Sequence, residues 1–419
     1  MNQPDPIPDA PVILISALGT GNYGPSRYRF GDTFSREETY FSVALGEYVR
    51  PDLFLSLQTN EAARKHGEEL AKAWRATGIE MRAVAIPDGA SEKELWEIFR
   101  IMAAEVPERA RVHLDITHGF RSLPMLGFIA LSYLRVTREI EIGEIRYGAW
   151  EAREPESGAT PAFDLTPFVT LLDWTAAADQ FLRTGSAARI SSLLVDTQQN
   201  LWKSSDGQDR DALPRNLKSL ATALEIASEN LLMLRTSGMA DAAARLESIL
   251  AEARTEAEAH VLPFLEVLQP IEEDLTRFSS ADLTVLRDLV EWLAERDQVA
   301  AAFTLASEWL VSYLMVALGH GDHHADHKTR APYAEALNVL EDPAKAASAG
   351  NEDRTLAETA RSTLSDDVIY SLRRVSSQIR SARNDLNHAG FNDHPASAAT
   401  LSKRAKEVAS ELARLPLPS

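Results

Sequence analysis

The 419-residue sequence predicts an α/β domain followed by an all-α domain. Three observations predict it. Short apolar runs alternate with longer amphipathic segments from Val12 to about Ala149, a polar stretch rich in Pro and Gly follows, and beyond it helical periodicity replaces almost all strand signal. The length agrees, since domains of about 100 to 200 residues make two or three units the expectation.

In the first part VILISA, LFLSL, RAVAI, VHLDI and EIRYGAW read as strands, and residues 35–48, 61–77, 91–105 and 123–136 as helices. Strands apolar throughout and separated by helices imply a mostly parallel sheet covered on both faces. Ser35-Arg-Glu-Glu38 has the spacing of a capping box, which would start the first helix there. EAREPESGATPAFDLTP marks a boundary near residues 151–166. After it PFVTLLDWTAAADQFL, NLKSLATALEIASENLLMLR, LTVLRDLVEWLAERDQVAAAFTLASEWLVSYLMVALG and DVIYSLRRVSSQIRSARNDLNH carry helical periodicity, broken near KSSDGQDRD, GHGDHHADHK and ASAGNEDRT. The expected organisation is a sheet domain over 1–160, a helical connector over 161–202 and an all-α domain over 203–419.

Composition narrows the function. Hydrophobic residues at 45% and charged residues at 25% suit a globular chain. No uncharged apolar run reaches about 18 residues, and MNQPDPIPDAP lacks a basic region followed by an apolar one, so a cytoplasmic protein without a membrane partner is expected. The absence of cysteine excludes disulfides, thiolate nucleophiles and Cys-ligated zinc. With 62 acidic against 43 basic residues the net charge is −19, which opposes long-range attraction to nucleic acid. Any contact with RNA or DNA must come from a local basic patch.

Two loops following strands are unusually polar or glycine-rich. The first is SALGTGNYG, containing Gly19, Thr20, Gly21 and Asn22, and the second is Asp115-Ile-Thr-His-Gly119. In open α/β sheets ligands bind where strands deliver their carboxyl ends. GTGNYG matches the G-x-G-x-x-G pattern of nicotinamide and flavin sites, but a helix does not open directly after it, and LFLSL runs into Gln58-Thr59-Asn60 where an acidic ribose clamp belongs. A glycine loop for another phosphate-bearing ligand fits better. The plainer reading of the second loop is a strand end whose Asp115 and Thr117 cap the next helix while His118 satisfies a backbone group. Taken with the glycine loop, Thr117, His118, Gly119 and Arg121 form a set suited to phosphates and ribose hydroxyls.

The second candidate site lies in VSSQIRSARNDLNHAGF. Val375, Ile379, Ala382 and Leu386 form a helical apolar stripe, Arg373, Ser377, Arg380, Asn384 and Asn387 occupy much of the other side, and Gly390 offers a C-terminal stop. From Arg373 to His388 four arginines stand against Asp385 alone, a local reversal of the overall charge. Basic helices are commonly just solvated faces. Here Arg383, Asn384 and His388 add the pattern R-N-x-x-x-H. RNA can be cut without metal by its own 2′-hydroxyl attacking the adjacent phosphorus. Histidine serves as base or acid in such a reaction, and arginine offsets the charge that builds on the phosphate. Five residues on a helix is about 140° of rotation, so Arg383 and His388 of one chain need not form a complete pair.

LDITHGFRSLP, ALGTGNYGPSRYRF and DLTPFVTLLDWTAAADQFLRTG resemble the CRISPR-associated DxTHG-motif proteins of type III systems, and RNDLNH resembles the motif of the HEPN ribonuclease superfamily. The resemblance implies an N-terminal Rossmann-like CARF domain that senses cyclic oligoadenylate and a helical HEPN domain that cuts single-stranded RNA in antiviral defence. It implies a homodimer or higher homo-oligomer in which both copies of the two loops enclose one ring, with Gly19, Thr20, Gly21, Asn22, Thr117, His118 and Gly119 lining the pocket. A tetra-adenylate ring is favoured over a hexa-adenylate one, although the residues themselves do not set ring size. Arg383, Asn384 and His388 would be the catalytic group, completed across the dimer. No cofactor or metal is implied beyond the ring as allosteric activator. Helices between about residues 166 and 201 would transmit the signal, and the alternative is a non-catalytic ring-binding regulator or assembly protein.

Two further clusters carry less. HGDHHADH, from His320 to His327, has metal-ligand residue types, but its interspersed Gly and Asp between two helices read as a solvated loop. Trp174, Trp202, Trp292 and Trp309 sit on apolar helical faces and are expected in the core.

Overall fold

The computed structural model describes residues 10–119, 122–203, 213–260, 262–320, 326–391 and 393–418. The chain divides into two units, Met1–Leu172 and Asp173–Ser419. The first is an α/β unit and the second, among the described residues, is helical throughout.

The first unit holds an eight-stranded mixed sheet in the order β3-β2-β8-β7-β6-β1-β4-β5. The strands are β1 Val12–Leu18, β2 Ser26–Phe30, β3 Thr33–Glu38, β4 Leu53–Gln58, β5 Glu80–Ala85, β6 Arg111–Asp115, β7 Glu141–Gly148 and β8 Thr160–Asp164. From β7 through β6, β1 and β4 to β5 every pairing is parallel. The helices of this unit are α1 Phe41–Val49, α2 Asn60–Ala62, α3 Glu68–Thr77, α4 Glu92–Glu105 and α5 Ser122–Thr137, with a π-helical turn, Ala63–Gly67, joining α2 to α3.

Strand alternation loads both faces. Ile13, Ile15, Leu55, Leu57, Val112 and Leu114 form one core with Ile98 and Met102 of α4 and Leu131 and Leu134 of α5. Leu14 and Phe54 point the other way, onto Phe41 and Leu45 of α1 and Leu70 and Trp74 of α3. The Trp74 indole stacks on Phe54 at 4.0 Å. Gly46 lets α1 lie against it, because a Cβ there would meet the indole at 2.2 Å.

Two expectations are corrected. Residues 33–38 form a strand rather than the start of a helix, so the Ser35–Glu38 capping box does not exist, and α1 begins only at Phe41. Ser35 Oγ instead accepts from the Tyr28 N–H at 2.8 Å across the β2–β3 hairpin. Thr160–Asp164, inside the stretch read as a boundary, is strand β8, which pairs antiparallel with β7 and parallel with β2.

The helices of the second unit begin with α6, Pro167–Thr184, which starts within the first unit; Val169 near its start packs into the sheet core. They continue through α7 Ala188–Lys203, α8 Leu217–Leu232, α9 Met239–His260, α10 Leu262–Arg277, α11 Leu283–Glu295, α12 Val299–Ala317, α13 His327–Glu341, α14 Asn351–Thr363, α15 Asp366–Asn387 and α16 Ala398–Arg414. Asn351, read as part of a break, opens a helix that Asp353 caps through the Gly350 N–H at 2.9 Å. By length and composition α12 could cross a bilayer, but Phe303, Trp309, Leu310, Tyr313 and Leu314 are the buried centre of the helical core. Trp174, Trp292 and Trp309 are core residues as expected. Trp202 is not: it is 38% exposed, and its indole N–H donates to the Pro214 carbonyl at 2.8 Å.

Candidate functional site

After β1 the chain forms the β2–β3 hairpin at the far edge of the sheet, then builds β4 and β5 on one side of β1 and returns to place β6 on the other side. Adjacent parallel strands whose connections run in opposite directions open a crevice at their carboxyl ends. At β1 and β6 those ends carry residues 19–24 and 116–119, so the two loops picked out about a hundred positions apart are neighbours. A Cβ on Gly19 would lie 3.1 Å from the Gly119 backbone nitrogen. Gly119 has φ +102°, and a Cβ there would meet the Ala17 Cβ at 2.9 Å, so this position needs glycine on both counts.

Strand β2, not a helix, follows the glycine loop, and β4 ends at Gln58. Both facts oppose a dinucleotide fingerprint.

Asp115, buried at the end of β6, accepts from the Ser16 hydroxyl at 2.7 Å and the Thr117 N–H at 2.8 Å. It braces the loop against β1 rather than capping α5, the role that the plainer reading gave it. The Thr117 hydroxyl accepts from the Gly148 N–H at 2.8 Å and fastens the loop to β7. His118 departs from that reading, since its Nε2 is buried with no hydrogen-bond partner among the described residues. Its imidazole meets the edge of Tyr23 at 4.5 Å. Burial holds its pKa below the usual histidine range, with His66 adding to the effect and Asp115 opposing it. His118 is therefore a neutral ring at neutral pH.

Side chains that the sequence reading passed over complete the cluster. The π-helical turn after β4 presents Lys65 and His66 to the glycine loop. Lys65 Nζ donates to the Thr20 carbonyl at 2.7 Å and to Asn22 Oδ1 at 3.2 Å, and His66 Nε2 bonds the Gly21 carbonyl at 2.8 Å. A carbonyl can only accept, so Nε2 of His66 carries the proton. Tyr23 Oη accepts from the Gly19 N–H at 2.9 Å, and burial pushes its pKa up to about 12, the Gly19 bond partly offsetting this. The available signal was the position of Lys65 and His66 just after β4, the strand flanking β1; single π turns are frequent at functional sites but invisible to helical periodicity. Arg121 lies outside the described residues. The arrangement gathers the Lys65 cation, a glycine loop and a polar rim, which together suit phosphate and ribose groups.

The second candidate set stands at the end of α15. Val375, Ile379 and Ala382 are buried as the periodicity expects. Arg383 is half-buried, Asn384 and His388 are exposed, and the His388 N–H closes the helix by donating to the Asn384 carbonyl at 3.1 Å. Positive φ at Ala389 and Gly390 then turns the chain away. Buried Asp385 accepts from the Ala396 N–H at 2.8 Å, which ties the returning segment under the helix end.

The basic patch is smaller than the sequence suggests. Arg380 is paired with Glu341 of α13, and Arg374 with Glu411 of α16. Arg383 differs: it donates to the Ser307 hydroxyl of α12 at 2.7 Å, and among the described residues no carboxylate pairs with it. In HGDHHADH, residues 321–325 lie outside the described residues; His320 stacks on Tyr333 at 6.0 Å, and Asp326 caps α13 through the Lys328 N–H at 2.8 Å.

Comparison with known proteins reaches the stretch between the two sites. A family model for the second domain of CRISPR-associated protein MJ1674 matches residues 170–281. CRISPR-associated protein MJ1674 of Methanocaldococcus jannaschii is 29% identical over 116 residues, which are 27% of this chain and 18% of that protein. Both matches support a CRISPR-associated protein. The matched region starts beside the division between the two units and contains neither candidate set.

Proposed function

We propose that the protein is a ribonuclease of the CARF-HEPN class, switched on by a cyclic oligoadenylate and cutting single-stranded RNA in type III CRISPR defence. The observation that carries the reading is the meeting of residues 19–22 with residues 117–119 at the carboxyl ends of β1 and β6, where a parallel sheet reverses its winding. The Arg383–Asn384–His388 set at the end of α15, half-buried at Arg383 and exposed at Asn384 and His388, supports the catalytic half, and the likeness to a CRISPR-associated protein supports the CRISPR setting. Cleavage proceeds by attack of the RNA 2′-hydroxyl on the adjacent phosphorus. His388 moves a proton at the 2′-oxygen or the leaving 5′-oxygen, and Arg383 stabilises the charged phosphorane. The two side chains are about 140° apart on their helix, so the catalytic group is completed across a dimer. Activation requires that the ring bind the cutting-competent arrangement better than the idle one.

The test is incubation of labelled single-stranded RNA with the protein, with and without cyclic tetra- and hexa-adenylate, chelator present throughout. His388→Ala should abolish cleavage and leave ring binding intact. Cleavage that persists in this variant overturns the assignment. One observation favours a second reading, a ring-binding regulator without catalysis: the family match ends at residue 281, short of Arg383 and His388. That reading expects ring binding and no cleavage under any condition.

A further inference from the structure

On α15 and the helices packed against it, arginines receive two kinds of partner. Arg374 and Arg380 face the carboxylates of Glu411 and Glu341. Arg373 reaches the Glu341 backbone carbonyl at 3.5 Å, and Arg383, the arginine of the R-N-x-x-x-H set, is held by the side-chain hydroxyl of Ser307 at 2.7 Å, delivered by α12 where it packs along α15. A carboxylate at that place would fix the guanidinium and also cancel its charge, competing with any phosphate for the same N–H groups. A hydroxyl accepts one N–H and leaves the charge and the other donors available.

We propose that Ser307 is a positioning residue that aims Arg383 at the scissile phosphate while preserving its positive charge. The inference rests on the ribonuclease reading above and adds to it a residue 76 positions away on another helix. Arg383 is half-buried and carries a long side chain, so without an anchor it would sample several rotamers. The Ser307 bond preselects one of them, and a group already in place at the transition state costs no reorganisation when charge develops.

Three variants of the full chain separate the roles of geometry and charge. Ser307→Thr keeps the hydroxyl and should retain cleavage within about three-fold of wild type, a difference well below the worth of one hydrogen bond. Ser307→Ala should lower kcat about ten-fold with KM for RNA unchanged, as expected for one hydrogen bond to a charged group felt in the transition state. Ser307→Asp should hold Arg383 at least as firmly and raise the melting temperature, yet lower kcat about a hundred-fold or more, approaching Arg383→Ala, because the charge is cancelled. Stability and activity moving in opposite directions in Ser307→Asp is a result that a merely structural serine would not give. Each is measured with labelled single-stranded RNA and cyclic tetra-adenylate, with melting temperatures alongside. If the wild type cuts RNA and the Ala or Asp variant cuts equally well, the role of Ser307 is overturned and the ribonuclease reading stands. If the wild type itself does not cut, both fall.

Discussion

His113, two positions before Asp115 on β6, shows how a single residue couples the sheet to pH. It lies buried in β6, and its Nδ1 accepts from the Glu144 N–H at 2.9 Å. Burial first, then the charges of Arg111 and Arg146, push its pKa from 6.5 down to about 4. The folded chain therefore refuses a proton that the unfolded chain takes up. The stabilisation is complete above pH 6.5 and is lost as the pH falls toward 4, up to about 3 kcal/mol in all. His113→Gln keeps an acceptor for the Glu144 N–H and does not titrate. The wild type should lose more melting temperature than this variant between pH 6.5 and 4, and parallel losses would refute the account. Glycines of the pocket make a second residue-scale prediction. Gly119→Ala should cost about 1 to 3 kcal/mol of stability and weaken ring binding, because φ is +102° and Ala17 blocks the Cβ. Gly21 has nothing within 4 Å of its Cβ position. Gly21→Ala should therefore leave the melting temperature unchanged, and any loss of ring affinity in it, read by calorimetric titration, reports a lost ligand contact.

At the scale of elements, what could be read from the sequence follows from how each element is buried. The strands β1, β4 and β6 are apolar because both faces are covered, and they are found where VILISA, LFLSL and VHLDI place them. Strand β3, TFSREE, is an exposed edge strand rich in charge, as edges commonly are, so it carries no apolar alternation. A serine followed three positions later by glutamate then imitates a helix start. Strand β8 hides for a related reason: five residues that include proline, placed between turns, look like a linker until β7 and β2 are known to flank them. The same limit applies to the sites. Gly19, Asn22, Thr117 and His118 stand out because local residue types mark a loop. Lys65, His66 and Ser307 join the candidate sites through β1–β4 adjacency and α12–α15 packing; the place of Lys65 and His66 just after β4 hints at the first, and nothing in local sequence marks the second.

For the whole molecule the ribonuclease proposal raises the question of how a chain of net charge −19 would engage RNA at all. Of the four arginines on α15, Arg374 and Arg380 are neutralised by glutamates, Arg373 reaches the Glu341 backbone carbonyl at 3.5 Å, and Arg383 is the cation of the R-N-x-x-x-H set that no carboxylate compensates among the described residues. Each phosphate neutralised on single-stranded RNA contributes about −0.7 to the slope of log affinity against log salt. One Arg383 from each chain of the proposed dimer then contributes about −1.4 to the slope, or about a seven-fold loss of affinity over a four-fold rise in salt. Proteins that grip a long phosphate track lose several orders of magnitude over the same range. Binding should accordingly be weak, tolerant of sequence and nearly indifferent to salt. Arg383→Ala should take about 1.4 off the slope, whereas Arg380→Ala should leave it unchanged, since that charge is already spent on Glu341. Affinities measured with a 2′-deoxy RNA analogue, which the 2′-hydroxyl mechanism cannot cut, keep binding separate from cleavage. A slope steeper than about −3 would mean that other cations carry the RNA and that α15 is not its principal contact.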